Sequence, residues 1–187
     1  MKRVCILILL TLPSVLMSAQ ESRNPAKVRY RGDVGLNAGG TFTYFSGEKA
    51  PTWMAFGAAA STTHGVEFNE SATLGAGVGL GAALGGAWGD ESEEVEVSPV
   101  ISAYLHFDYA FCRGKKVRPW LGVRAGYGGT AFGSGVSAGP GMGIRIKNSW
   151  DIGLWYREII GYDEGKYFLS HSPFLGFAWR FPGYKNK

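Results

Sequence analysis

The sequence predicts an all-β protein: an eight-stranded antiparallel up-and-down transmembrane β-barrel, preceded by a cleaved signal peptide. Three observations predict this fold. The chain opens with a short apolar leader. Eight later segments alternate apolar residues with polar residues or glycine at the period of two that is typical of strands. Each segment, at about 10 residues, is long enough to cross a bilayer as a tilted strand.

The leader "MKRVCILILLTLPSVLMSAQ" has Lys2 and Arg3, then an apolar stretch, then small residues up to Ala19. This is the pattern of a secretory signal peptide, and its apolar stretch is too short to span a membrane. We therefore expect a signal peptide at 1–19 and a barrel domain at 20–187. Cleavage lowers the formal net charge from +4 to about +2, which does not indicate a nucleic-acid partner. It also leaves Cys112 without a second cysteine for an intrachain disulfide.

The eight alternating segments can be given in chain order. They are "VRYRGDVGLNAGGTFTYF" (28–45), "MAFGAAASTTHG" (54–65), "LGAGVGLGAALGG" (74–86), "VSPVISAYLHFDYAF" (97–111), "RPWLGVRAGYG" (118–128), "GVSAGPGMGIRI" (135–146), "WDIGLWYREI" (150–159) and "KYFLSHSPFLGFAWRF" (166–181). A polar turn from Glu67 to Glu70 joins the second segment to the third. Proline fits a strand interior poorly, so Pro140 indicates a bulge in the sixth. Turns after the second, fourth and sixth segments are short, and links after the first, third and seventh are longer, as in transmembrane barrels.

The third segment is the most unusual, because glycine occupies almost every second position from Gly75 to Gly85. A helix would lose about 1 kcal/mol at each of these glycines relative to alanine. A phosphate-binding loop would need a following Gly-Lys-Ser/Thr, which this stretch lacks. The segment is therefore a strand with one apolar face and one nearly bare face. In a narrow barrel, inward glycines would leave room for large side chains such as Tyr104, Trp120 and Trp155.

The charged faces of the segments predict the barrel interior, because an unpaired charge facing hydrocarbon costs several kcal/mol. We expect an interior polar network with a structural role, made of Arg29, Arg31, Asp33, His106, Asp108, Arg118, Arg124, Arg145, Asp151 and Arg157. The expected pairings place Asp33 near Arg29 and Arg31, Asp108 opposite the strand from Arg118 to Arg124, and Asp151 across a turn from Arg145. Aromatic residues near segment ends predict girdles at the two membrane interfaces, namely Tyr30, Tyr44, Phe111, Tyr127, Trp150, Tyr156, Trp179 and Phe181.

Three alternatives follow from the same residues. A soluble periplasmic lipocalin-like carrier would place the apolar face inside and the charges outside. A lipid A-modifying enzyme of the outer membrane would use Ser170 or Ser172 with His171 and Glu158, but adjacent strand residues point to opposite faces. An open pore is not expected, because eight strands enclose too little space. We assign no catalytic or cofactor-binding residue. We assign no metal-binding residue either, since the three histidines are scattered and lack ligand spacing.

Several stretches resemble a known family in the order in which they occur: "YRGDVGL", "TTHGVEFN", "LGAGVGLG", "RPWLGVRAGYG", "GPGMGIRI" and "FAWRF". They resemble the small outer-membrane β-barrel proteins of Bacteroidota, which share their architecture with the OmpX and OmpA barrels. The resemblance implies a location in the outer membrane and a monomer in contact with outer-membrane lipid and lipopolysaccharide. Phe181 resembles the terminal aromatic residue read by the barrel-assembly machinery. The function we expect is structural or surface-interacting through extracellular loops, without enzymatic activity; one candidate binding element is the acidic loop from Gly89 to Glu96.

Overall fold

A computed structural model describes residues 28–47, 53–87, 95–130, 133–163 and 165–182 of the chain. Eight strands occupy these ranges in sequence: β1 (Val28–Phe45), β2 (Trp53–Phe68), β3 (Ala72–Ala87), β4 (Glu96–Ala110), β5 (Val117–Thr130), β6 (Gly133–Ile146), β7 (Trp150–Asp163) and β8 (Lys166–Pro182). Each strand pairs antiparallel with its neighbours, and β8 pairs with β1, so the sheet closes into a barrel. The predicted eight-stranded closed barrel is confirmed. The predicted signal peptide lies outside the described residues.

The alternation of the sequence becomes the two surfaces of the barrel. Large apolar side chains on the outer surface are strongly exposed, among them Leu36, Leu80 and Leu154. The buried side chains of the lumen include Arg118, Arg145 and other charged groups. This arrangement is the opposite of the lipocalin-like alternative, which needed its apolar face inside. A surface of this kind is stable only in contact with hydrocarbon, so the barrel spans a membrane.

Aromatic side chains lie near both ends of the apolar outer surface. Around the end formed by the turns 69–71, 111–116 and 147–149 are Tyr30, Tyr109, Phe111, Trp150, Trp179 and Phe181. Around the opposite end are Tyr44, Tyr127, Tyr156, Tyr162 and Tyr167. Two such belts are typical of residues at the headgroup level of a bilayer. We call the end with the three turns the periplasmic end and the other the outer end. No helix in the described ranges is long and apolar enough to cross a membrane.

The lengths of the connections differ in part from the sequence prediction. The links after β1 and β3 take up residues 46–52 and 88–95, but only two residues separate β5 from β6 and β7 from β8. The predicted longer link after the seventh segment is therefore wrong, because β7 and β8 continue into it as a hairpin. At the periplasmic end, the connection 111–116 is longer than the turns 69–71 and 147–149. The long outer connections are thus confined to one side of the barrel.

Pro140 does not produce the predicted bulge. The register between β6 and β7 is the same before and after it, from Ala138↔Glu158 to Gly141↔Trp155, but pairing is absent at 139–140. Proline has no N–H to donate, so the ladder is interrupted without an inserted residue. At Gly139 the Tyr156 carbonyl oxygen occupies the space that a β-carbon would need. The strand therefore requires glycine beside this proline.

A charge on the outer surface tests the lipid contact directly. We expect Leu80→Arg, near the middle of β3, to lower the free energy of unfolding by about 2–4 kcal/mol, because the guanidinium would face hydrocarbon. The matched control is Val97→Arg at the outer end of β4, where the cost falls to about 0–1 kcal/mol. Urea unfolding in lipid vesicles measures both. Equal costs for the two variants would contradict a membrane-spanning orientation.

Candidate functional site in the barrel lumen

The periplasmic half of the lumen is filled by charged side chains that we call the periplasmic plug. It consists of Arg29, Arg31, Glu67, Asp108, Arg118, Arg145, Asp151 and Arg180, on strands β1, β2 and β4 to β8. Inward-facing positions on seven strands converge here because an eight-stranded barrel has a lumen only as wide as its side chains. The plug closes this half of the lumen with ion pairs rather than with apolar residues.

Arg145 is the centre of the plug. Its side chain is fully buried, and its Nη2 donates to Asp108 Oδ1 at 2.7 Å. Its Nε donates to Asp151 Oδ1 at 2.8 Å. On the other side of Asp151, Arg180 Nε lies 3.6 Å from Oδ2, and Arg180 Nη2 donates to Thr73 Oγ1 at 2.9 Å. One guanidinium thus holds two carboxylates from different strands.

A second part of the plug surrounds Glu67. Its side chain is fully buried in β2, where Arg29 Nε donates to Oε2 at 2.9 Å and Arg31 Nε lies 3.6 Å from the same oxygen. The sequence analysis placed Glu67 in a turn, and that interpretation is wrong. The alternation Ser61, Thr63, Gly65, Glu67 continues the inward face of β2, so the signal for an interior position was present.

The tight turns also take part in the plug. Lys147 and Asn148 both have positive φ, as in the two-residue turns that match the twist of a hairpin. In this conformation the Asn148 side-chain oxygen accepts a hydrogen bond from Arg118 Nη2, and its carbonyl oxygen accepts one from Arg31 Nη2. Arg118 also donates to the Glu70 carbonyl oxygen at 2.6 Å. The plug is therefore tied to the turn backbone at the periplasmic end.

Above the plug, a chain of hydrogen bonds runs towards the middle of the lumen. His106 Nε2 donates to Asp108 Oδ2 at 2.8 Å, and Arg124 Nε donates to His106 Nδ1 at 3.2 Å. The Arg124 guanidinium lies over the rings of Trp155 at 3.9 Å and Tyr104 at 4.7 Å. These contacts fix the Arg124 side chain across the lumen between two aromatic side chains.

All ten residues predicted for the interior polar network are on inward-facing strand positions. Two of the three expected placements are observed, and the one for Asp33 is wrong. Asp151 pairs with Arg145 across the turn, as predicted. Asp108 lies opposite Gly122, on the strand from Arg118 to Arg124 as predicted, and its hydrogen bonds are with Arg145 and His106. Arg29 and Arg31 pair with Glu67 rather than with Asp33, which instead lines a small cavity beside His106.

Inward glycines make room for the large lumen side chains, as the third segment suggested, but the glycines are distributed over several strands. A β-carbon at Gly77 of β3 would lie 2.6 Å from Tyr104 Cζ. Trp155 and Trp120 are accommodated elsewhere: β-carbons at Gly141 and Gly153 would overlap with their rings. The glycine-rich strand therefore provides clearance for Tyr104, and strands β6 and β7 provide it for the two tryptophans.

The outer half of the lumen contains a cavity of about 90 Å³, which we call the outer cavity. Its lining includes Arg124, Arg157, Ser102, Ser137, Tyr104 and Phe174. Arg157 makes no hydrogen bond or ion pair with any residue that the structure describes, and its Nε is buried. Phe174 lies below its guanidinium, with 5.8 Å between Arg157 Cζ and the ring centroid. No carboxylate is among the described lining residues.

The residues considered for a lipid A-modifying enzyme do not meet. Ser170 and Ser172 point into the lumen, where their hydroxyls bond to Thr43 at 2.8 Å and Thr41 at 3.0 Å. His171 lies on the outer surface, 3.6 Å from Glu158. The barrel wall therefore separates each serine from the histidine, and the candidate catalytic set does not form.

His171 belongs instead to a polar cluster on the outer surface, which we call the outer-face cluster: Tyr44, Tyr156, Glu158 and His171. Tyr156 donates to Glu158 Oε1 at 3.2 Å and also contacts His171 Nδ1. The cluster lies in the outer aromatic belt. His64, another outward histidine, contacts Tyr30 and Thr62 nearer the periplasmic end.

The apolar outer surface, the ion-paired lumen and the two aromatic belts define a small transmembrane β-barrel of the outer-membrane type. No protein-family model matches the chain, and no curated protein matches it. Among solved structures it is similar to Neisserial surface protein A (NspA), at 16% identity and a TM-score of 0.53, covering 84% of this chain and 100% of that one.

Two further solved structures show weaker similarity. Ail, the attachment invasion locus protein of Yersinia pestis, solved in complex with the heparin analogue sucrose octasulfate, has 15% identity and a TM-score of 0.44, with coverage of 82% of this chain and 99% of that one. The outer membrane enzyme PagL has 15% identity and a TM-score of 0.45, with coverage of 77% and 97%. At these identities, the likeness to NspA shows a common fold.

Proposed function

We propose that this protein is an integral outer-membrane barrel with a structural or surface-interaction role carried by its outer loops, without an open pore and without enzymatic activity. The observation that carries the proposal is the periplasmic plug. Charged side chains from seven strands fill that half of the lumen, so the barrel has no wide path for solutes there. The parts available to a partner are then the outer strand ends and the links that join them.

The connection lengths indicate which part of the outer end would meet a partner. The strands contain 14 to 18 residues, whereas about 9–11 suffice to cross the apolar layer. Of the four outer connections, those at 46–52 and 88–95 are the long ones. The second has Asp90, Glu91, Glu93 and Glu94 in its sequence, followed by Glu96. An acidic loop of this kind favours a partner with a basic surface.

Removal of the acidic loop tests this role. We expect trimming of Gly89 to Glu96 to reduce attachment of expressing cells to an epithelial monolayer to the level of non-expressing cells. Replacing Asp90, Glu91, Glu93 and Glu94 by their amides should have the same effect, since the attraction depends on charge. A matched control keeps the composition and permutes the order of residues 89–96. Folding is checked by the shift in gel mobility on boiling.

Two results would count against the surface-interaction role. One is attachment that does not depend on expression of the wild-type protein. The other is attachment that survives both the trimmed and the amide variants while the barrel remains folded. Either result would exclude the surface-interaction role, and only the structural role of the barrel in the membrane would then be proposed.

The expected partners belong to the same proposal. Lipopolysaccharide would surround the outer aromatic belt, where the outer-face cluster offers hydrogen-bonding groups at headgroup level. Phe181 at the end of β8 would be read by the barrel-assembly machinery, and the barrel would act as a monomer. An origin in Bacteroidota is supported by the sequence motifs.

A further inference from the structure

The lumen has more cationic than anionic side chains. Between the periplasmic turns and the level of Arg157, the inward-facing arginines are Arg29, Arg31, Arg118, Arg124, Arg145, Arg157 and Arg180. The inward-facing carboxylates over the same length are Asp33, Glu67, Asp108 and Asp151. All four carboxylates lie in or beside the periplasmic plug. Two of the three excess positive charges, those of Arg124 and Arg157, therefore line the outer cavity.

Arg157 is the main reason to expect a ligand there. A partly buried guanidinium without a counterion loses hydration without gaining an ion pair, which is costly in a narrow lumen. No carboxylate is among the described lining residues, and Arg157 makes no hydrogen bond with any of them. Its Nη1 is 3.6 Å from the position of a β-carbon on Gly128, so the wall opposite this nitrogen is bare. The group that would compensate Arg157 is an anion in the cavity.

Other donors line the same space. The hydroxyls of Ser102 and Ser137 make no hydrogen bond with any residue in the described ranges, although Ser137 is buried. Arg124 uses Nε for His106, which leaves its terminal nitrogens without a described partner. Two guanidinium groups and two hydroxyls thus supply donors to a cavity whose described lining has no carboxylate. The nearest carboxylates lie on the plug side of Arg124, where they line the neighbouring small cavity. Guanidinium forks match the oxygens of phosphate and sulfate well.

We propose that the outer cavity is a binding site for a small oxyanion of the phosphate or sulfate class, held by Arg157 and Arg124 with Ser102 and Ser137. The cavity is partly enclosed by the barrel wall. Further towards the outer end of the lumen, Ile159 and Phe168 are almost completely buried. Its volume of about 90 Å³ suits a free inorganic anion better than a sugar chain. All of its described lining residues lie on strands, so the proposal does not depend on the surface-interaction role.

The experiment uses the purified, folded protein in detergent micelles and inorganic phosphate as the probe. Titration calorimetry is performed at constant ionic strength, with chloride replaced by phosphate. We expect saturable binding to the wild-type protein and at least tenfold weaker binding to Arg157→Gln. The matched control is Arg113→Gln, which removes one positive charge from the exposed periplasmic connection and should bind like the wild-type protein. Quenching of tryptophan fluorescence gives a second readout, because Arg124 lies on the Trp155 ring.

Each outcome has a defined meaning. No saturable binding to the wild-type protein, or equal binding to Arg157→Gln, would overturn the proposal. The heat-dependent gel shift shows whether Arg157→Gln is folded. If it is not, Ser137→Ala is the second variant, with an expected loss of about threefold to tenfold, and unchanged binding would overturn the proposal equally. Glucose 6-phosphate distinguishes the source of the anion: weak binding identifies a free inorganic ion, and strong binding identifies a phosphate carried by a larger molecule.

Discussion

Arg145→Ala is expected to lower the free energy of unfolding by about 3–5 kcal/mol, the cost of breaking a buried ion pair by removing one partner. The variant leaves Asp108 and Asp151 buried, and both lose the guanidinium that holds them at 2.7 and 2.8 Å. Urea unfolding of the barrel in micelles, followed by tryptophan fluorescence, measures the loss. The same variant should lose its resistance to heat on a gel at a lower temperature than the wild-type protein.

A control variant and a second substitution show whether the stability loss in Arg145→Ala comes from unpaired buried charge or from lost packing. Arg113→Ala removes an exposed arginine and should change stability by no more than about 0.5 kcal/mol. Adding Asp108→Asn to Arg145→Ala should recover part of the loss, because one uncompensated buried charge is removed. A loss below about 1 kcal/mol for Arg145→Ala would show that the plug is solvated and does not support the barrel.

Gly141→Ala is expected to destabilise the barrel by about 3 kcal/mol or to prevent its folding. A β-carbon at this position would overlap with the Trp155 ring, which is buried and packed against Trp120 at 5.2 Å between ring centroids. The two rings pack against each other and against the strands around them, so the added methyl group overpacks this part of the lumen. Unfolding midpoints in urea and the gel shift on boiling are the measurements.

A double-mutant cycle identifies the cause of that loss. In a Trp155→Ala background, Gly141→Ala should cost less than about 0.5 kcal/mol, because the overlapping ring is gone. Gly139→Ala is the matched control. Its β-carbon would meet the backbone oxygen of Tyr156, which does not change with the Trp155 side chain. Additive effects of Gly141→Ala and Trp155→Ala would show that the glycine is required for another reason.

The strands and their two faces were predictable because each depends on local alternation. The first segment, 28–45, coincides with β1, and the glycine segment lies within β3. Desolvation then decided which face is inside, since a charge costs much more against hydrocarbon than in a polar lumen. The same rule places Arg124 and Arg157 in the lumen without any knowledge of strand tilt.

The pairings within the lumen were not predictable in this way. Which inward side chains meet depends on the stagger between strands and on the tilt of the barrel, which alternation does not determine. Asp108 reaches Arg145, two strands along the barrel, rather than its neighbours on β5. Glu67 was missed because acidic residues beside Asn69 and Glu70 are also typical of a turn. The outer cavity could be found only from the structure, because the sequence around Arg157 would be the same whether or not its guanidinium group forms an ion pair.

The pairing of β1 with β8, which we call the seam, closes the barrel and constrains the order of folding and membrane insertion. The other seven strand pairs join neighbours in the chain, whereas the seam joins distant residues such as Thr43 and Ser170. Until it closes, β1 and β8 both present unpaired backbone groups, which hydrocarbon does not tolerate. Insertion and closure must therefore be concerted, and loop-closure entropy makes the last step slow. A chain that stops short of β8 would have no stable smaller barrel to adopt.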